Sequence, residues 1–446
     1  MKYSQCDLFF SEYVQSVHSE YEKWKKYTYY NVIVFYVQTV HEIRSIFCAK
    51  QKLTGRRRFD ILNSPCLNKI IHTSGLCRKR NACHFIYYDR KRGITMISNK
   101  KNFIIESRMV PQPCALQKFP YPISQKENYK LCMEHKLPYW VPMKDIDNGM
   151  TFCPHDLDRP AFGTDGTDWF GVSWTYVDQV GGQMVTPDTF ILEKPSQWRE
   201  KLIFPDLDQM DFTVGAQEAR AKIDPSKITG YVMQDGLFER LLSLCPAEES
   251  LSWLLEEPED AAEFFEAVAD YKIALIEKLS REWAPFDLLI NSDDWGTQIS
   301  TFMAPSVFEK LLLPPMKRIA DKVHELGLYW DCHSCGKTET LVPYMVELGF
   351  NFWEAQGMND LKAVKKKYGN QLAIQCTLDP YVLQDPEITE EEVRSYVRRV
   401  IDDLGEGGGL ILAFKALTPM VYTAVTTEIF EYSSKKYARE RAGMKK

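Results

Sequence analysis

Long apolar runs are missing from this 446-residue chain. The longest near its start, "VIVFYV" at 32–37, is far short of the roughly 20 residues a bilayer span needs. No charged segment, apolar segment and small-residue cleavage site follow one another as in a secretory signal, so the expected compartment is the cytoplasm and no membrane partner is expected. A Gly-x-Gly-x-x-Gly loop after a strand is also missing. The run "GEGGGL" at 405–410 precedes a strand instead, which excludes a dinucleotide or phosphate loop and leaves a turn. Cysteine is not scarce, at twelve residues. In an intracellular chain of this length they read as free thiols, a few of them available for metal or redox chemistry.

What is present divides unevenly. Residues 1–108 hold 20 Lys+Arg against 8 Asp+Glu, whereas the remainder holds 35 against 53. The first part carries basic triplets at 56–58, 78–80 and 90–92 and no sustained helical or strand period. Clustered cations interleaved with Tyr87 and Tyr88 suit phosphate neutralisation, yet no DNA-binding or zinc-finger spacing accompanies them. The segment therefore reads as a basic, poorly ordered extension, or as an upstream stretch with Met109 the true first residue, and a nucleic-acid partner is not expected. The expected boundary lies between 108 and 109.

From about residue 227 short apolar strands alternate with longer amphipathic helices, the pattern of a parallel α/β fold. Strands are expected at 228–234, 286–294, 328–333, 351–355, 372–376 and 409–414. Helices are expected at 306–327, bent at Pro314-Pro315, and at 337–349 and 389–405. Tandem βα units repeated this often point to a (β/α)8 TIM barrel over 109–446, whose reactive groups belong at the C-terminal ends of the strands. Gln234 with Asp235, Asp293 with Asp294, His333 with Cys335, Glu354 with Gln356, and Cys376 with Asp379 all fall at such ends. Each alone suits a cap or a turn; five such ends together suit a shared site.

One stretch, "LYWDCHSCGKTE" at 328–339, has two readings. Cys332 and Cys335 could form a redox pair, but that pair needs its first cysteine at a helix N-terminus, and Cys332 lies inside an apolar strand. Side chains alternate along a strand, so His333 and Cys335 point one way and Cys332 the other. His333 and Cys335 can then close on one ion, leaving Cys332 to pack against helices. Zinc needs three or four such ligands, and Glu354 and Cys376 lie one and two βα units later. Glu354 could equally hold substrate, and Cys376 could be a small buried residue.

The stretch running from "INSDDWGTQ" through "CHSCGKTETLVPYMVELGFNFWEAQGMNDL" to "LAIQCTLDP" resembles the uroporphyrinogen decarboxylase superfamily, and "SQKENYKLCMEHKLPYWVP" and "GTDWFGVSW" resemble its opening helix, first strand and a following substrate loop. The likeness spans roughly 120–443. Within that superfamily "CHSCG" is similar to the zinc motif of the corrinoid-linked coenzyme M and methoxyaromatic methyltransferases. "FWEAQGMNDL" resembles the strand that supplies a glutamate ligand in cobalamin-independent methionine synthases. The coenzyme M enzymes draw a last cysteine from their final strand, where this chain has "AFKALTP" and none, so a coenzyme M acceptor role is not implied.

The resemblance implies a zinc-assisted methyltransferase that moves a methyl group from a small methylated donor, a methoxylated aromatic foremost, to the cobalt of a corrinoid carried by a partner protein. Zinc would be held by His333, Cys335 and Glu354, with Cys376, substrate or water as the remaining ligand. Asp293 or Asp294 would hydrogen-bond substrate or donate a proton. Substrate contacts are expected from Trp169, Trp174, Tyr231, Gln234, Phe238, Gln298 and Gln356. One alternative is a porphyrinogen decarboxylase, whose polycarboxylate substrate calls for arginines; residues 109–239 contain only Arg159, Arg199 and Arg220. A second is a non-catalytic barrel that binds a corrinoid partner.

Overall fold

The computed structural model describes residues 85–89, 93–97, 118–144, 146–177, 182–416 and 418–444. The chain divides into two units, 1–102 and 103–446. In the first, an antiparallel hairpin joins Phe85–Asp89 to Gly93–Ile97. The boundary expected at 108/109, and the order expected of most of the basic extension, lie outside the described residues.

The second unit opens with helix α1, Gln125–Met133. A capping box starts it: the Ser124 hydroxyl accepts from the Glu127 amide at 3.1 Å, and Glu127 Oε2 accepts from the Ser124 amide at 3.0 Å. Seven strands then form one parallel sheet: β1 Asn148–Met150, β5 Ile228–Met233, β6 Leu288–Ser292, β7 Tyr329–His333, β8 Phe352–Ala355, β9 Ala373–Thr377 and β10 Leu410–Ala413. They lie in the order β1-β5-β6-β7-β8-β9-β10. Beside β1 a parallel bridge joins Met143 to Leu412 on β10, with the Lys144 amide donating to Leu412 O at 2.8 Å. That bridge brings the segment just before β1 against the last strand, so the sheet curls into a TIM-barrel-like fold. Between β1 and β5 a separate antiparallel sheet is built from β2 Gly166–Thr167, β3 Ser173–Val177 and β4 Gly182–Val185.

The expected strands from 228 onward all form, each within three residues of its expected ends. The helices follow: α2 Leu237–Leu244, α3 Pro258–Glu282, α4 Pro305–Leu311, α5 Leu313–Glu325, α6 Val342–Glu347, α7 Leu361–Tyr368, α8 Glu390–Leu404 and α9 Pro419–Met444. The break between α4 and α5 falls at Leu312. It puts Pro314 and Pro315 in the first turn of α5, where a missing N–H costs nothing. Among the described residues no helix is long and apolar enough to cross a membrane.

Alternation along the strands sorts the core into two clusters. Ile228, Leu288, Ile290, Phe352, Ala373 and Ile411 meet Tyr129, Cys132 and Met133 of α1 inside the barrel. Leu289, Trp330, Cys332, Trp353, Ile374 and Cys376 belong to the larger cluster under the helices. This parity decides which strand-end residues can meet in the barrel mouth.

Candidate metal centre

Parity carries His333 inward, in step with Tyr329 and Asp331, and sends Cys332 outward, where it is fully buried. The chain turns after His333 and brings Cys335 back, with its Sγ 3.8 Å from His333 Nε2. Asp294, two residues past the inward Ser292 of β6, joins them. One ligand atom each from Asp294, His333 and Cys335 lies within 4.8 Å of the others. Carboxylate, imidazole and thiolate in one such cluster form a donor set suited to zinc.

The groups behind these three hold their geometry. His333 Nδ1 meets Glu354 Oε2 at 2.5 Å, and Glu354 Oε1 is paired with Lys144. A proton on Nδ1 leaves the Nε2 lone pair facing Cys335 and a metal, the arrangement that orients a ligand histidine. Burial opposes the imidazolium, but the hydrogen bonds to Cys335 and Glu354 outweigh it and hold the His333 pKa well above its ordinary value. Burial likewise opposes the Glu354 carboxylate, yet Lys144 and His333 hold its pKa well below the usual range. Burial pushes the Cys335 thiol up, partly offset by His333. A bound divalent cation would supply the charge that favours the thiolate.

The loop bearing Cys335 is tied down on several sides. The Cys335 amide donates to Asp294 Oδ1 at 2.7 Å, the Gly336 amide to Gln356 Oε1 at 2.7 Å, and the Trp295 amide to Ser334 Oγ at 2.9 Å. Asn359 Oδ1 accepts from the amides of Thr338 and Glu339 at 2.9 and 3.0 Å, while its Nδ2 donates to Gly336 O at 3.0 Å. The loops after β6 and β7 cross at Gly296 and Gly336. Gly336 has φ +87°, and a Cβ there would lie 2.3 Å from the Gly296 carbonyl carbon. Gly336→Ala is therefore expected to lower stability by at least about 1–3 kcal/mol and to weaken metal binding with it, read by urea unfolding and zinc titration.

The comparisons with known proteins bear on this barrel. Residues 240–420 match the family model described as uroporphyrinogen decarboxylase (URO-D). Over those residues the chain is similar to that family. No curated protein matches the chain. Among solved structures it is similar in fold to a methyltransferase from Methanosarcina mazei, at 13% identity and a TM-score of 0.53, covering 70% of this chain and 99% of that one. A D-psicose 3-epimerase from Clostridium cellulolyticum H10 also aligns, over 52% of this chain and 82% of that one at 9% identity. Its TM-score of 0.28 supports no argument.

Within the barrel the other expected site residues scatter. Glu354 stands behind His333 and is not in the metal-type group. Cys376 faces outward into the helix-side cluster, where burial pushes its thiol up to about 11 and Tyr396 of α8 feels its charge. Cys376→Ser is accordingly expected to leave zinc binding unchanged within about twofold, measured by competition with a chelator, because it supplies no ligand there. Asp293 also points away from the mouth. Its carboxylate accepts from the Phe238 and Glu239 amides at 3.2 and 2.8 Å, capping α2 from another loop, and burial raises its pKa to about 6.

Of the expected substrate contacts, Tyr231 turns outward onto Phe286 and bonds Asp156 at 2.5 Å. Trp174 is buried beneath the Arg159 guanidinium, 4.1 Å from its ring, and bonds Asp168. Trp169 packs against Phe212, and Phe238 is fully buried beside Phe302. Gln234 lends its carbonyl to Lys272 at 2.7 Å, Gln298 is exposed, and Gln356 holds the Gly336 amide.

Sequence reasoning missed Lys144, Asn359 and Glu239. Glu239 sits in the first turn of α2 at the mouth, and its buried Oε2 has no protein partner among the described residues. Burial first, then the charges of Asp294 and Asp235, push its pKa well above the usual carboxyl range. Of the arginines weighed for a polycarboxylate, Arg199 is paired with Asp260 and Glu263 at an exposed position, and beside Arg159 the structure places Arg240. Both are already engaged: Arg159 by Asp235 at 3.0 Å, and Arg240 by Asp168, Asp235 and Asp158 at 2.7, 3.0 and 3.2 Å.

Proposed function

We propose that this protein is a methyltransferase whose site is organised by a zinc ion held by Asp294, His333 and Cys335. It takes a methyl group from a small methylated donor, a methoxylated aromatic foremost, and passes it to the cobalt of a corrinoid carried by a partner protein. The observation that carries the reading is the convergence of those three side chains at the mouth of a uroporphyrinogen decarboxylase-like barrel. When bound, zinc supplies Lewis-acid polarisation of the leaving oxygen. The chain's own residues do the rest. His333 keeps Nε2 aimed at the mouth because Glu354, backed by Lys144, holds Nδ1. Asp294 is fixed by the Cys335 amide through one carboxylate oxygen. Glu239, favoured in its neutral form by burial and by the charge of Asp294, would give the departing oxygen its proton.

The engagement of Arg159 and Arg240 by internal aspartates speaks against a porphyrinogen polycarboxylate as substrate. The test is a scan of methoxyaromatics against the zinc-loaded protein and a reduced corrinoid protein, read by methylcobalt absorbance. Signal with at least one donor, abolished by Asp294→Ala, is expected. No signal with any donor, together with carbon dioxide release from a porphyrinogen, would overturn the reading in favour of a decarboxylase.

A further inference from the structure

Two residues past the end of β5, Asp235 has φ +48°, a left-handed conformation that residues other than glycine rarely adopt, and it is fully buried. Its surroundings hold it there. The carboxylate is ion-paired with Arg159 through one oxygen and with Arg240 through the other, each at 3.0 Å. Residues kept in so sparsely populated a region persist only where their neighbours impose it, and they cluster at functional sites.

Arg159 faces two ways. Besides Asp235 it donates through Nη2 to the Gln183 carbonyl of β4 at 2.8 Å and lies 4.1 Å over the Trp174 ring of β3, so it ties the small antiparallel sheet to the end of β5. Beyond Asp235 the chain runs into the barrel mouth. The Gly236 amide donates to Ser292 O at 2.7 Å, and Asp293 leaves no room for a Cβ on Gly236, so this backbone lies directly on the loop after β6. That loop is held in turn. The Asp293 carboxylate accepts from the Phe238 and Glu239 amides at 3.2 and 2.8 Å, and its own amide donates to His333 O at 3.1 Å. Asp294 Oδ1 then accepts from the Cys335 amide at 2.7 Å. From β4 to Cys335 no hydrogen bond in the series exceeds 3.2 Å.

We propose that Asp235 is a positioning residue through which the β2–β4 sheet fixes the loops after β6 and β7, and so sets Asp294 against Cys335 and His333. The sheet thereby completes the mouth instead of merely packing beside it. With Arg159 removed, one of the two cations that hold the Asp235 carboxylate is lost, the left-handed turn relaxes, and Gly236 leaves Ser292. The coupling itself rests on hydrogen bonds within the chain. Only its consequence for a metal rests on the zinc reading above.

The test compares Arg159→Met, which cuts the tie between the sheet and Asp235, with Gln183→Met. The Gln183 side chain donates to the carbonyls of Pro160, Ala161 and Thr164 at 3.1, 3.2 and 2.7 Å, so its loss loosens the sheet's own loop and leaves Arg159 on Asp235. Amide exchange of the metal-free protein reads the coupling. In Arg159→Met the Gly236 and Cys335 amides are expected to exchange at least about tenfold faster, whereas in Gln183→Met only amides of the sheet and of 160–164 do. Cobalt(II) loading reads the consequence: a roughly tenfold weaker affinity and a shifted d–d spectrum in Arg159→Met, with the wild-type spectrum kept in Gln183→Met. Asp235→Asn and Asp235→Ala form a second pair that decides the matter if Arg159→Met fails to fold. Asparagine tolerates the left-handed turn and still accepts a hydrogen bond, so Cys335 protection should survive in Asp235→Asn and fall in Asp235→Ala. Unchanged Cys335 exchange in Arg159→Met, equal acceleration there in Gln183→Met, or equal loss in both Asp235 variants overturns the proposal. If the wild type takes up no cobalt, the metal reading fails by itself, and amide exchange still decides the coupling.

Discussion

Replacing His333 with alanine is expected to lower zinc affinity by at least about 100-fold, since losing even a partner behind a ligand costs roughly 10–100-fold and His333 is proposed as a ligand itself. Two effects add. The ion loses one of three protein donors gathered within 4.8 Å. In addition Glu354, whose carboxylate is stabilised by Lys144 and His333 together, loses its imidazole partner and keeps Lys144. Zinc retained after dialysis and a chelator competition would read the loss. Cys332→Ala provides the contrast, because Cys332 faces the helix layer and is expected to keep wild-type zinc. The opposite pattern, loss with Cys332→Ala and retention with His333→Ala, would revive the redox pair.

Arg240→Met is expected to destabilise the protein by about 3–5 kcal/mol, the cost of removing one partner from a buried charge network. Arg240 is fully buried and engages Asp158, Asp168 and Asp235, themselves 3%, 5% and 0% exposed. Lys272 reaches Asp158 and Arg159 reaches Asp235, so three cations face three aspartates. Without Arg240, Asp168 retains only neutral donors, the Trp174 indole and the amides of Phe170 and Val172. Urea unfolding measures the change. Because Asp158 and Asp168 lie between β1 and β3, the loss should come with loosening of the small antiparallel sheet, seen as faster amide exchange across β2–β4. A change under about 1 kcal/mol would mean that the network is not closed as described.

The barrel was legible because its strands carry apolar runs at βα spacing, and because His333 and Cys335 obey the two-residue alternation that sends Cys332 the other way. The same alternation argues against Cys376. Gln375 and Cys376 are neighbours on one strand and cannot both face the barrel; the structure turns Gln375 in. Strand-end position alone says that a residue is near the mouth, not which way it points, and Tyr231 and Asp293 were misjudged by that rule. Choosing Asp294 over Glu354 as the third donor required knowing that the loops after β6 and β7 cross at Gly296 and Gly336. No sequence period encodes that crossing. Lys144 was invisible for a related reason: it precedes β1, outside the repeating units, and reaches Glu354 only because the barrel closes through Met143 and Leu412. Asp331 hides within an apolar strand, where its neighbours suggest nothing but core.

X-ray absorption at the zinc edge of the zinc-loaded protein tests the central claim most directly. Asp294, His333 and Cys335 predict one sulfur at about 2.3 Å and nitrogen and oxygen donors at about 2.0–2.2 Å. Two sulfurs in the shell, or no zinc retained at all, would contradict it.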